Sequence, residues 1–281
     1  MATSTTYGGY TAEAADQMLV MKFERNVDAL VQLLSNSDVH ILAPGTSLKT
    51  YTNTCTLQDG AADPGAAITA TTYSTVAATK ELTFKKWLKN TPIEAIAQQG
   101  WEGAVLATDN QLLRDVQKAV RKSIITGIAT GSGSATGATF QAACANGWAA
   151  VEEAFEDEGS TPVFFCNAST AAGYLGTATV TVQESFGLKY IENFLGLGTL
   201  IIDSNVADDY IYCTAKENIV IAAADLSGVE GIPLTMDESG IIAVQHVPSY
   251  GNASAQTVVY TGLCVFPMFA SRVIKSVVDP S

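Results

Sequence analysis

Charge is scarce in this chain. Only 15% of its 281 residues are Asp, Glu, Lys or Arg, against about a quarter in an ordinary soluble domain. A Thr-, Ala- and Gly-rich surface of this kind is expected where partners cover much of it. Histidine is scarcer still: His40 and His246 are the two present. Both stand in strand-like apolar runs, and no GxSxG elbow accompanies them, so both read as structural and a Ser-His-Asp hydrolase is disfavoured. The five cysteines (Cys55, Cys144, Cys166, Cys213 and Cys264) form no CxxC pair. That spacing excludes a thioredoxin-type motif and argues against structural zinc. Four of them have apolar neighbours and read as small core residues in a reducing compartment. No apolar run approaches the roughly 20 residues of a membrane span. Residues 1–10 lack the basic and apolar regions of a secretory signal, so a cytoplasmic protein is expected. Bases are outnumbered 15 to 28, and the resulting net charge of −13 repels phosphate and disfavours groove-tracking nucleic-acid binding. No repeat of solenoid period is present.

Against those deficits stands a hydrophobic content of 47%, enough for a substantial core in one large domain or two modest ones. Between Ala12 and Asn36, Leu19, Phe23, Val27, Leu30 and Leu34 recur at spacings of three and four. They predict an amphipathic helix with Lys22, Glu24 and Arg25 off its apolar stripe. It is either an ordinary helix of its own chain or an arm lying on a neighbour. Val39 to Leu42 reads as a strand, followed by a Pro44-Gly45 turn. Leu48 to Lys89 is a Thr- and Ala-rich stretch with turn chemistry at Asp59-Gly60-Ala61-Ala62-Asp63-Pro64-Gly65. Its return arm alternates from Glu81 to Lys85, placing Leu82 and Phe84 on one face. The expectation is a long two-stranded excursion that needs a partner surface, with disorder as the alternative.

Helix signals follow. Thr91-Pro92-Ile93-Glu94 reads as a capping box with proline at the first helical position, and Gly100 as a stop. Thr108-Asp109-Asn110-Gln111 reads as a second box. It would open a helix to about Ile128 that buries Leu112, Val116, Ala119, Val120 and Ile124. Arg114, Lys118, Arg121 and Lys122 mark the opposite face, either solvated or matched to an acidic patch on a neighbouring subunit. Thr130 to Thr139 reads as a flexible connector; its glycines follow a helix, and it has neither a Walker lysine nor GxGxxG spacing. A third helix carries Phe140, Cys144, Trp148, Val151 and Phe155, and Gly159 ends it. Strands are expected at Val163–Cys166, Thr177–Val182, Thr199–Ile202, Tyr210–Thr214 and Ile219–Ala223. Gly240–Val247 and Gln256–Val278 are β-rich. The class is α+β, with 139–224 a candidate compact subdomain.

The acidic cluster Glu152, Glu153, Glu156, Asp157 and Glu158 is the best candidate for metal or acid–base work. No histidine accompanies it, and a helix C-terminus disfavours negative charge. A solvated or subunit-bridging face is the better reading. The segment from Phe186 to Gly196 mixes aromatic and aliphatic bulk with single charges. It serves no evident chemistry and reads as a wedge-shaped packing unit.

Three blocks occur in order. The first is Leu82-Thr83-Phe84-Lys85-Lys86-Trp87 with Thr91 to Ile96, Gly100, Ala104-Val105, Thr108-Asp109 and Leu112-Leu113. The second is Phe155-Glu156-Asp157 with Val163 to Asn167 and Tyr174-Leu175-Gly176. The third is Gln183 and Phe186 to Gly196, with Glu217-Asn218 and Asp237 to Gly240. This ordered set, spanning Leu82 to Gly240, resembles the major capsid proteins of tailed bacteriophages with the Hong Kong 97 type fold, particularly those of Gram-positive hosts. The resemblance implies an N-terminal arm and helix over 1–47 and an extended β-hairpin loop over 48–89. It implies a peripheral domain with a long spine helix over 90–138, an axial domain over 139–224, and a return to the peripheral domain over 225–281. The implied function is a non-enzymatic coat subunit assembling into pentamers and hexamers of an icosahedral shell around double-stranded DNA, which its acidic surface would not grip. The implied partners are copies of itself, a separate scaffolding protein, and portal and head-completion proteins. No catalytic residue, cofactor, metal or membrane is implied, and the location would be the virion capsid, assembled in the host bacterial cytoplasm. Phe84, Lys85, Lys86, Trp87, Arg114, Lys118, Arg121, Glu152, Glu156 and Asp157 are the candidate inter-subunit contacts. Encapsulin-type nanocompartment shells are the first rival reading, and a hydrolase using Glu152 and Glu156 the second.

Overall fold

The computed structural model describes residues 6–7, 10–34, 39–55, 58, 70–156, 159–185, 187–227, 234–238 and 240–279. Asp59 to Gly65, Asp157 and Phe186 lie outside the described residues. Two short strands, β1 (Thr6–Tyr7) and β2 (Tyr10–Thr11), lead into α1 (Ala12–Leu34). The apolar stripe of α1 is its buried face: Phe23, Leu30 and Leu34 are inaccessible, and Leu19 and Val27 nearly so. These side chains join the core of their own chain, which decides the alternative that the sequence leaves open.

Next come β3 (His40–Leu42), β4 (Ser47–Cys55), β5 (Tyr73–Glu81) and β6 (Lys85–Pro92). β4 and β5 form an antiparallel ribbon of nine residue pairs, Ser47 opposite Glu81 through Cys55 opposite Tyr73. The expected alternation from Glu81 to Lys85 fails. The ribbon ends at Glu81, Leu82 turns into a small core with Ala222, Ala224 and Phe266, and Phe84 stays on the surface. Lys85 instead opens a strand that pairs with residues 254–261.

Both expected capping boxes fail as well. Thr91 is a buried residue of β6, and Pro92 itself caps α2 (Ile93–Trp101) without a side-chain bond. Gly100 breaks the helical path at φ +73. A single π-turn, Glu102–Leu106, then feeds α3 (Ala107–Ile128) with no non-helical residue at the join. Thr108 therefore lies inside the helix, where its hydroxyl hydrogen-bonds back to the carbonyls of Ala104 at 2.7 Å and Val105 at 2.9 Å. At 22 residues α3 is about 33 Å long. It buries Leu113, Val116, Val120, Ile124, Ile125 and Ile128, one position round from the expected Leu112 and Ala119.

The glycine-rich connector is a strand, β7 (Gly133–Gly137). Its glycines are required by close approach: a Cβ on Gly133 would lie 2.3 Å from Ile274 Cδ1, and one on Gly137 would lie 2.2 Å from the Ala143 nitrogen. Then follow α4 (Phe140–Ala154), β8 (Pro162–Cys166) and α5 (Ala168–Leu175). Thr139 caps α4, accepting from the Ala142 N–H at 3.2 Å. Thr177–Val182 is irregular rather than a strand, and pairing begins at β9 (Gln183–Ser185). The supposed packing wedge is largely β10 (Leu188–Phe194), a strand with a register shift between Ile191 and Phe194. The remaining strands are β11 (Gly198–Ile202), β12 (Tyr210–Ala215), β13 (Ile219–Ala224), β14 (Thr235–Met236) and β15 (Ile242–Ser249). β16 (Ser254–Thr261), β17 (Cys264–Pro267) and β18 (Ile274–Val278) close the chain.

The larger sheet has the order β7-β18-β12-β8-β11-β10-β9 and mixed polarity. α4 packs on it, and Phe140, Cys144, Val151 and Phe155 fill a core with Phe164, Phe194 and Ile211. A second sheet, β14-β15-β16-β6, meets α1, while α3 packs on β17 of a third, β17-β13-β3. The larger sheet thus draws on residues 133–137 and 274–278 as well as on the central stretch.

Candidate functional site

The outward residues come first. β6 sends alternate side chains to opposite faces: Trp87 packs against the main core, whereas Lys86 and Leu88 are exposed. Lys85 is half-buried. On α3, Arg114 and Lys118 face solvent, and Arg114 donates to Gln111 Oε1 at 2.8 and 3.2 Å. Arg121 departs from the expected basic strip. It is turned partly inward, its guanidinium donating to the Gly187 carbonyl. Glu152 is half-buried and accepts a 2.6 Å bond from the Ser160 hydroxyl, while Glu153 and Glu156 are exposed. Among the described residues no three or more His, Cys, Asp or Glu side chains converge where a metal could sit.

Nor is there an activated nucleophile among the described thiols. Burial pushes the Cys144 thiol up to about 12 and raises Cys166 and Cys213 as well. His40 is exposed at the end of β3.

His246 is the other extreme. It projects from β15 between Asp16 of α1 and Asp109 of α3. Nδ1 donates to Asp16 Oδ1, and Nε2 donates to Asp109 Oδ2 at 2.8 Å. With a carboxylate on each nitrogen, both nitrogens carry protons. Burial pulls the imidazole toward neutrality, but bonds to Asp109 and Asp16 outweigh it and hold the pKa at about 9. Asp109 Oδ1 takes the Lys89 ammonium of β6 and the Thr257 hydroxyl of β16, the latter at 2.8 Å. Lys89 completes its valence on Thr108 Oγ1 at 2.8 Å and the Val105 carbonyl at 3.0 Å. Two acids and two bases thus balance inside one site. At Asp109 burial opposes ionisation, yet the bonds from His246 and Lys89 win and lower its pKa; at Asp16 burial wins and raises it. A histidine held this way has no free lone pair and cannot act as a base. The quartet is a bolt joining α1, α3 and the four-stranded sheet.

Sequence reasoning takes His246 as structural but misses Asp16, Lys89, Asp109 and Thr257. A signal was present. Asp16 stands three residues before Leu19 and Asp109 four before Leu113, so both acids sit on apolar stripes.

Apolar side chains are also left outside. Ile93, Ile96, Trp101, Pro248, Tyr250 and Ala253 line a cleft of about 380 Å³, and Tyr250 is 92% exposed. Tyr51 and Tyr73 lie at odd positions of the ribbon, on one face of it, and both are exposed. No helix among the described residues is long and apolar enough to cross a membrane.

No family model and no curated protein matches the sequence. Solved structures do match. The capsid of an empty GTA particle aligns over 88% of this chain and 95% of its own at 13% identity, with a TM-score of 0.59. The cyanophage A-1(L) capsid aligns over 90% and 93% at 12% identity, TM-score 0.55. The SrpI encapsulin of Synechococcus elongatus aligns over 89% and 86% at 12% identity, TM-score 0.51. In each case nearly the whole of both chains takes part. The chain therefore has the α+β fold of phage capsids and encapsulin shells, with its N-terminal helix, free-standing hairpin and long spine helix.

Proposed function

We propose that this chain is a structural shell subunit, a major capsid protein that assembles into pentamers and hexamers of a closed icosahedral shell around double-stranded DNA. The observation that carries the reading is the two-way coverage of the fold match, from 86% to 95% of each shell protein's own chain. The geometry agrees with it. The β4–β5 ribbon extends from the body with its described side chains mostly exposed, a form that is marginal in water without a partner. In this proposal residues 48–89 form the extended loop that lies over an adjacent subunit, and α3 is the spine of a peripheral domain. Residues 139–224 supply most of an axial domain that meets its copies at capsomer centres. Phe84, Lys85, Lys86, Trp87, Arg114, Lys118, Glu152 and Glu156 are contact candidates. A separate scaffolding protein and a portal complete the assembly in the bacterial cytoplasm, and the net charge of −13 leaves the packaged nucleic acid ungripped.

The encapsulin match supports a second reading, a nanocompartment shell holding protein cargo. Negative-stain electron microscopy of the purified chain, alone and with its candidate scaffolding protein, tests the first step. Closed shells, rings or tubes are expected, and a uniform monomer under both conditions overturns the shell reading. Nuclease-protected DNA inside particles from infected cells separates capsid from nanocompartment.

A further inference from the structure

The densest basic stretch of this chain sits on α3, and the densest acidic stretch begins in the last turn of α4. Residues 114–122 carry four bases and one acid, and residues 152–158 carry five acids. With Arg121 turned toward Gly187, the outward row on α3 is Arg114, Lys118 and Lys122. Each is four residues from the next, about 6 Å along the axis. All three are exposed, and the salt bridges of the Lys89–Asp109–His246–Asp16 quartet involve none of them.

The end of α4 is the counterpart. Its last turn holds acids and no base, at the helix pole where negative charge is disfavoured. Glu153 and Glu156 point to solvent, while Glu152 is occupied by Ser160. Arg272 lies at this end, its guanidinium over the rings of Phe155 and Phe269 at 4.7 and 4.9 Å. The stretch 139–224 is acidic in sequence, with two bases and eleven acids, a net charge of −9.

We propose that the outer row of α3, through Lys118 and Lys122 above all, is a docking surface for the acidic end of α4 of a second copy of this chain. The inference rests on the shell reading and specifies one contact within it. Two different patches meet, so the contact is heterologous, and repetition around an axis closes a ring. Cations from one copy would meet the acidic helix pole of the other. The spacing is comparable, since Lys118 and Lys122 are four residues apart and the exposed Glu153 and Glu156 three. Charge pairs of this kind act mainly on the association rate and on the choice of partner face.

The test is a charge swap on the full chain under conditions where the parent assembles, read by sedimentation velocity and electron microscopy. Lys118→Glu/Lys122→Glu and Glu153→Lys/Glu156→Lys are each expected to cut the assembled fraction about tenfold or more. The chain carrying all four changes is expected to assemble again. All four side chains are exposed, so the thermal midpoint of each variant should match the parent. Glu153→Gln/Glu156→Gln, with no reversed charge, should assemble more slowly and lose most of the parent's salt dependence. Single reversals that assemble like the parent would overturn the pairing, as would a fourfold variant that stays as poor as the doubles. A parent that never assembles defeats the shell reading itself, a distinct result from an assembling parent with indifferent variants.

Discussion

At the scale of the residue, the energetics concentrate on His246. Removing a partner from a buried ion pair leaves an uncompensated charge in low dielectric, which costs about 3–5 kcal/mol. His246→Ala removes the base that holds Asp16 and leaves Asp109 to Lys89 and Thr257, and urea titration at pH 7 should show a loss of that order. The pH dependence has a definite sign. The imidazole is held at about 9, above its ordinary 6.5. Its contribution is therefore complete below 6.5 and is lost as pH rises through about 9. Asp109 is lowered, so its contribution is present above its ordinary 3.8 and is lost as pH falls through the lowered value. Asp16 is raised by burial, and its ionisation subtracts stability as pH rises. The buried thiols add a further alkaline loss, since they ionise only on unfolding. Comparison with His246→Gln removes that common part. The parent's unfolding free energy should fall by about 3 kcal/mol more than the variant's between roughly pH 7 and 10. Equal slopes would mean that His246 is neutral in the folded chain.

At the scale of the element, the glycines of β7 decide how near α4 lies to the larger sheet. A methyl on Gly137 would meet the Ala143 nitrogen at 2.2 Å and the Ala142 carbonyl carbon at 2.6 Å. Both are backbone atoms that no rotamer change can move. Gly137→Ala is expected to cost about 1–3 kcal/mol and to lower the thermal midpoint, whereas Gly173→Ala, inside α5 with nothing within 4 Å, should raise it slightly. Several elements were readable from pattern alone. α1 buries the side chains that its periodicity selects, the stripe of α4 does so apart from the half-buried Trp148, and β8, β11, β12 and β13 fall within a residue or two of where apolar runs place them. Where reading failed, tertiary context overrode a local cue. Gly131 to Gly137 has the composition of a linker, yet β18 supplies a partner from Gly133 to Gly137. Thr108 has capping chemistry, but the preceding residues 102–106 are already helical, so its hydroxyl turns back onto the turn before it. β10 buries Leu188, Ile191 and Phe194. A register shift between Ile191 and Phe194 accounts for the second of these steps of three, and the departure from a twofold period masked its type. The quartet was hardest of all: Asp16 and His246 are 230 residues apart, and no local pattern links them.

At the scale of the whole molecule, the chain divides into a body with its own cores and a ribbon without one. The two larger cores draw on α1, α3, α4 and both large sheets, and no described side chain of β4 or β5 is among their buried members. The ribbon touches a core at its base, where Leu48 packs against the small cluster around Leu82. Its two ends already meet, the Leu82 N–H donating to the Thr46 carbonyl at 3.2 Å. Residues 47–81 are thus replaceable by a short Gly-Ser turn joining Thr46 to Leu82 without disturbing either flank. Because little of the ribbon is buried within the chain, its excision should move the thermal midpoint by only a few degrees, equivalent to about 1 kcal/mol. In the shell reading the ribbon gains its remaining contacts from another copy, so the same excision should abolish closed shells at protein concentrations where the parent forms them. Shells built without the ribbon would show that it is not an assembly element. A collapse of the midpoint would show that it belongs to the fold of the single subunit. A stable body that no longer assembles would place the ribbon's stabilising contacts between copies, as a shell subunit requires.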